Sequence, residues 1–198
     1  DRVWNNPLVA AVLRYADCFS VSDTGWDDRL EYCRSFLDKG YSIAVFPEGC
    51  RSQDGNVQRF HKGAFYLAER LEADILPVFI HGAAHVMPVG TTFANRGGFD
   101  IEIGRRIPPN ALSFGSGYVE RCREVHRYYV AHYEDICRRV ETPDYFRSLV
   151  IGLYASVGLG CKAKNVLDGA RYDAWDVLTL VNALVHPECT YTLPASSP

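Results

Sequence analysis

Apolar positions recur at helical spacing in four stretches of the chain. Over Val3 to Ala16, Leu8, Val12 and Tyr15 fall on one face with Val9 and Leu13 beside them, and Pro7 suits an early turn. Over Trp26 to Lys39, Leu30, Cys33, Phe36 and Leu37 share a face. Asp23 or Thr24 can cap this helix, and Gly40 stops it. Over Lys62 to Leu71 the inner positions are Ala64, Phe65, Leu67, Ala68 and Leu71. The longest pattern runs from Tyr118 to Val140 through Val119, Cys122, Val125, Tyr129, Tyr133 and Ile136, with Arg121, Arg123, Arg127, Arg138 and Arg139 decorating the rest. Gly115 and Gly117 precede it and Thr142-Pro143 ends it.

Two continuous apolar runs, Tyr41 to Phe46 and Ile75 to His81, predict buried strands. Phe99 to Ile107 alternates Ile101, Ile103 and Ile107 with polar residues, as a half-exposed strand does. Phe19 to Val21 is a short strand candidate. Strand, helix, strand in this order implies right-handed parallel crossovers. The predicted fold class is therefore α/β: a mostly parallel sheet flanked by helices, incomplete, with a helical C-terminal extension. Beyond Asp144 the periodicity weakens, although Trp175 to Val185 reads as a helix and Tyr191 to Leu193 as a strand.

With 198 residues, 47% of them hydrophobic, the chain is long enough to bury one core. A formal net charge of -3 argues against nucleic acid as the main partner, because phosphate backbones select strongly basic faces. No window approaches the ~18 unbroken apolar residues of a membrane-spanning helix. No signal-peptide pattern opens the chain. It starts at Asp1 and its single methionine is Met87, so the sequence reads as a fragment or processed chain. Seven cysteines stand at wide spacings without a C-x-x-C pair, which leaves the common zinc pattern absent and predicts free thiols in a reducing cytosol. No metal or prosthetic group is expected.

The candidate chemistry lies between Val45 and Ile80. The predicted strand ends at Pro47, which puts Glu48 at the carboxyl edge of a sheet, where open α/β folds bind ligands. Gly49 permits close backbone approach. Arg51 offers a planar fork suited to phosphate. Lys62 stands at a helix start, where free backbone N–H groups favour anions. One loop thus gathers Glu48, Arg51, Arg59, His61 and Lys62, a set suited to a polar phosphorylated substrate beside an apolar sheet face. The expectation is that Glu48 and Arg51 share a cleft between Gly49 and Pro77.

Phe46-Pro47-Glu48-Gly49-Cys50-Arg51-Ser52 resembles the F-P-E-G-x-R-S block of the lysophosphatidic acid and glycerol-3-phosphate acyltransferase family. Phe60-His61-Lys62-Gly63-Ala64 resembles the F-K-K-G-A segment after it, and Ile75-Leu76-Pro77-Val78 the family's next apolar block. The resemblance covers roughly residues 1–112. It implies transfer of a fatty acyl chain from acyl-CoA or acyl carrier protein, as donor substrates, to a free hydroxyl of a lysophosphatidate-like glycerol phosphate. It implies that Glu48 and Gly49 shape the acceptor pocket and that Arg51 binds the acceptor phosphate. Ser52, Lys62 and Gly63 join them as substrate-binding residues, and Pro77 shapes the wall near the donor. A peripheral position on the cytoplasmic face of a membrane is implied as well, with Trp4, Phe93 and Phe99 as interfacial candidates.

Two departures stand out. The family's N-H-x-x-x-x-D block, whose His is the general base and whose Asp orients it, does not occur near the start, and the first histidine is His61. The reading therefore places no catalytic residue in this chain and assigns the base to an upstream segment. Loss of a general base typically costs ~10²–10⁴-fold in rate, so the chain alone is expected to be nearly inactive. The family's F-I-x-R block is replaced by Val21-Ser22-Asp23 at about its place. His81 or His85 is an alternative base.

The resulting organisation is 1–112 as the C-terminal part of an acyltransferase domain, 113–143 as an amphipathic helix and linker, and 144–198 as a linker plus a truncated or degenerate second module. Within that tail, Leu180 to Glu188 followed by Tyr191-Thr192-Leu193 faintly resembles part of a methyltransferase-like Rossmann unit, without its glycine-rich loop. A non-catalytic lipid-binding or scaffold module of the same fold is the alternative function. A hydrolase is disfavoured by the absence of a G-x-S-x-G elbow.

Overall fold

The computed structural model describes residues 26–52, 55–87 and 97–156. The predicted elements at Val3 to Ala16, Phe19 to Val21, Trp175 to Val185 and Tyr191 to Leu193 lie outside the described residues. The chain divides into two compact units, Asp1–Val45 and Phe46–Pro198.

In the first unit, helix α1 spans Trp26–Asp38, one residue short of its predicted end. Its termination follows from Gly40, which adopts φ +83°, a left-handed conformation open to glycine. That turn lets Gly40 N–H reach the Leu37 carbonyl at 2.9 Å and Tyr41 N–H reach the Phe36 carbonyl at 3.0 Å. The pair of bonds is a Schellman closure, and its usual apolar contact is present, with the Phe36 and Tyr41 rings 5.9 Å apart.

The strand expected over 41–46 does not form. No described strand pairs with it, and Tyr41, Val45 and Phe46 are exposed, Phe46 at 76%. An apolar run becomes a strand only when a neighbour takes up its N–H and C=O groups. Without that ladder, the parallel crossover from 41–46 to 75–81 is also absent among the described residues.

The second unit contains α2 (Gly63–Arg70), β1 (Val78–His81), α3 (Ala83–Val86), β2 (Asp100–Ile103), a 3-10 turn at Leu112–Phe114, α4 (Tyr118–Val140) and α5 (Pro143–Ser156). The described sheet is two-stranded and antiparallel, with Val78 opposite Ile103 and His81 opposite Asp100. Ile75 and Ile107 form a further antiparallel bridge. Between bridge and strand, Leu76 and Pro77 face three residues, Gly104 to Arg106, so the second strand carries a bulge. Pro77 has no N–H for the ladder, and its carbonyl instead accepts from Gly104 N at 2.9 Å.

The bulge decides which faces are buried. Phe79 and His81 are buried toward α4, and Ile107 joins the core. Across the bulge the phase reverses: Ile101 and Ile103 are 55% and 69% exposed. Glu102 instead meets α4 through Arg139 at 2.8 Å and His132 at 3.3 Å. The alternation at Ile101, Ile103 and Ile107 is real, but its apolar side is the exposed one along β2.

Helix α4 matches its predicted span residue for residue and organises the unit. The core is Phe60, Phe65, Ile107, Cys122 and Val125, with Tyr129 packed against it. Phe60 stacks on Phe65 at 6.1 Å and meets Tyr129 edge-on at 5.4 Å. Phe79 lies 4.2 Å from the His132 ring. Helix α5 was not separated from the weak tail by periodicity. Its start signal is chemical: Thr142 Oγ1 accepts from Tyr145 N at 3.2 Å, and Pro143 takes the first helical position. Phe146, Leu149 and Val150 are buried, so residues 144–156 contribute to the packing of this unit.

Candidate active site

The loop from Pro47 to Lys62 is closed by its own sequence. Gly49 N–H bonds the Phe46 carbonyl at 3.1 Å, and His61 N–H bonds the Pro47 carbonyl at 2.7 Å. Gly49 has φ +73°, and a Cβ there would sit 3.2 Å from the His61 ring. Both backbone angle and space therefore require glycine. Glu48 Oε2 accepts from Gln58 N at 2.8 Å, so the carboxylate braces the two limbs of the loop. Gln58 also reaches Ser52 Oγ, at 3.5 Å.

Arg51 is exposed, and its Nη1 donates to the Met87 carbonyl just beyond α3 at 3.0 Å. Among the described residues Glu48 thus bonds Gln58 and Arg51 bonds Met87. Lys62 occupies the N-cap position of α2 and is exposed, with Gly63 opening the helix behind it. Pro77 is buried at the entry to β1.

Helix α4 holds this loop against β1. His126 Nε2 lies 3.1 Å from the Gln58 carbonyl, Tyr133 Oη donates to the Gly55 carbonyl at 3.1 Å, and Tyr129 Oη donates to the Val78 carbonyl at 2.7 Å. Burial, with Glu48 adding its negative charge, pushes the Tyr129 phenol up to about 12. Tyr129 therefore stays a neutral donor, with Glu48 on one side and the residue after Pro77 on the other. Burial raises the Cys122 thiol, while Lys62 and Arg59 pull it back.

Few of these buttresses are announced by the sequence. Gln58 acts through its backbone and Met87 through its carbonyl, which side-chain chemistry does not reveal. His126, Tyr129 and Tyr133 did carry a signal: i, i+3, i+7 spacing puts three polar-tipped rings on one helical face.

Of the histidines near the loop, His61 packs its ring against Gly49. His81 is 2% exposed and its Nε2 lies 3.0 Å from Glu141 Oε1, which closes it off from a substrate in the loop. Burial, then the neighbouring His81, lowers His85. Two cavities stand out among the described residues. One, about 340 Å³, is lined by Gly97 to Asp100, Tyr145, Ser148, Leu149 and Gly152. The other, about 350 Å³, lies along the outer face of α4. Neither includes Glu48, Arg51 or Pro77. Among the described residues, no helix is long and apolar enough to cross a membrane.

Residues 1–81 match the Acyltransferase family model. The crystal structure of the 1-acyl-sn-glycerophosphate acyltransferase PlsC from Thermotoga maritima resembles this chain with a TM-score of 0.55 and 26% identity, over 68% of this chain and 54% of that one. The chain is thus similar to 1-acyl-glycerol-3-phosphate acyltransferases, through the family model over its first 81 residues and through the PlsC fold. It is 37% identical over 81 residues to chloroplastic 1-acyl-sn-glycerol-3-phosphate acyltransferase LPAT1 of Arabidopsis thaliana, covering 40% of this chain and 23% of the relative. It is 28% identical over 87 residues to the human 1-acyl-sn-glycerol-3-phosphate acyltransferase beta, covering 43% of this chain and 31% of the relative. The chain thus spans less than a third of the length of these curated relatives.

Proposed function

We propose that this chain carries the acceptor-binding part of an acyltransferase that moves a fatty acyl group from acyl-CoA or acyl carrier protein to the free hydroxyl of lysophosphatidate. One observation carries the reading. The F-P-E-G-C-R-S loop is folded so that Glu48 and Gly49 are spent on its own shape while Arg51 stands exposed on its rim. An exposed guanidinium presents a planar fork of N–H donors whose geometry suits a phosphate. Lys62, at the N-terminus of α2, adds a second positive group. Ser52 and Gly63 complete the polar side, and Pro77 belongs to the apolar wall facing the acyl donor.

The apolar face of Val78, Ile80, Ile101 and Ile103 suits the lipid half of such a substrate. It also suits a peripheral position at a membrane, which this proposal puts on the cytoplasmic face. The chemistry needs a base to take the acceptor hydroxyl proton, and the reading assigns it to the His of an N-H-x-x-x-x-D block outside this chain. Without that block the chain binds acceptor and turns over very little.

The test couples such a block to the chain and measures acyl transfer to lysophosphatidate. Arg51→Ala should raise the acceptor KM and leave the donor KM alone; an unchanged acceptor KM removes the role given to Arg51.

A further inference from the structure

We propose that His81, Cys137 and Glu141 form a binding site for a single divalent transition-metal ion of the zinc class, separate from the acyltransferase loop. The three residues come from two elements. His81 ends β1, while Cys137 and Glu141 stand four apart at the C-terminal end of α4, a spacing that sets both on one helical face. One ligand atom from each lies within 4.8 Å of the others. A tetrahedral zinc site has Zn–N of about 2.0–2.1 Å and Zn–S of about 2.3 Å, which places ligand atoms roughly 3.3–3.8 Å apart. A small inward movement closes the set around an ion.

The donor types suit zinc: an imidazole nitrogen, a thiol sulfur and a carboxylate oxygen. The charge balance suits it too. His81 binds as neutral imidazole, Glu141 as carboxylate, and Cys137 as thiolate after its S–H bond breaks and the proton passes to solvent. Two negative ligands then cancel the dication, which a buried site needs.

The surroundings point the same way. His81 is 2% exposed, and its Nδ1 has no hydrogen-bond partner among the described residues. The rings of Tyr145 and Tyr133 stand 5.4 and 5.9 Å from the His81 ring and pack beside it. Glu141 is 26% exposed, which leaves an entry path. An ion here clamps the end of β1 to the α4–α5 junction. The sequence gives no short metal motif because His81 and Cys137 stand 56 positions apart.

The test is titration of the full chain with Co²⁺, followed by optical spectroscopy. One Co²⁺ should bind per chain with a thiolate-to-cobalt charge-transfer band that Zn²⁺ displaces. Cys137→Ser should abolish the band and Cys50→Ser should keep it. Should Cys137→Ser fail to fold, Glu141→Gln should weaken cobalt binding by at least about tenfold, the cost of altering even an outer-shell partner of a metal ligand. Absence of the band, its survival in Cys137→Ser, or unchanged affinity in Glu141→Gln would overturn the site.

Discussion

The Tyr129 hydroxyl donates to the Val78 carbonyl at 2.7 Å, and through this bond α4 reaches the first residue of β1 beside Pro77. The same ring packs on Phe60, at the far end of the 47–62 loop, with centroids 5.4 Å apart. One side chain therefore fixes loop and strand together.

Replacing Tyr129 by Phe keeps the ring and removes the bond. A typical net hydrogen bond contributes ~0.5–1.5 kcal/mol, and urea unfolding of Tyr129→Phe should show a loss of that size. A midpoint equal to that of the parent would mean that the hydroxyl is not engaged.

Gly49→Ala forces a side chain into φ +73° and to 3.2 Å from the His61 ring. Roughly 1–2 kcal/mol should be lost from the left-handed conformation alone. Limited proteolysis should then cut the 47–61 segment faster. Parent-like resistance together with parent-like stability would show that the loop has another shape.

Ile103 is 69% exposed on the face of β2 turned from α4. Ile103→Thr should therefore change stability by no more than about 0.5 kcal/mol, the usual range for an exposed position. A loss above ~1.5 kcal/mol would place Ile103 in a core and contradict the phase reversal at the bulge.

Glu102 accepts from Arg139 and lies beside His132; Asp135 shares Arg139. The Arg139 hydrogen bond, with His132 assisting, holds the Glu102 carboxyl below the usual carboxylate range. A folded-state value below the unfolded one contributes stability that is complete above the unfolded value, about 4.3. It is lost as pH falls through the folded value. The stability gap between parent and Glu102→Gln should be widest near neutral pH and shrink as the solution is acidified below that point. A gap independent of pH would remove the ionic role of Glu102.

Helix α4 and the loop were legible from residues that act through their own side chains. Tyr118 to Val140 declares itself by a seven-residue apolar series, and Gly40 by the conformation only glycine adopts cheaply. The sheet was not legible, because pairing is a property of two segments. Tyr41 to Phe46 and Ile75 to His81 look alike as apolar runs, yet Ile75 and Val78 to His81 find partners in 100–107 while 41–46 finds none among the described residues. Pro77 was read as part of a wall; its missing N–H, which breaks the ladder, also sets the bulge. The His81–Cys137–Glu141 cluster was hidden for the same reason, since its members meet only after β1 and α4 pack.

The central claim is that exposed Arg51 on the loop braced by Glu48 binds the phosphate of a lysolipid acceptor. Its most direct test is the equilibrium dissociation constant of the chain for lysophosphatidate, with Arg51→Ala and, as a control, Arg106→Ala, whose partner is Asp74. A charge-assisted contact of ~1.5–3 kcal/mol predicts a weakening of roughly tenfold to a hundredfold in Arg51→Ala and none in Arg106→Ala. Equal affinity in the parent and Arg51→Ala would contradict the account.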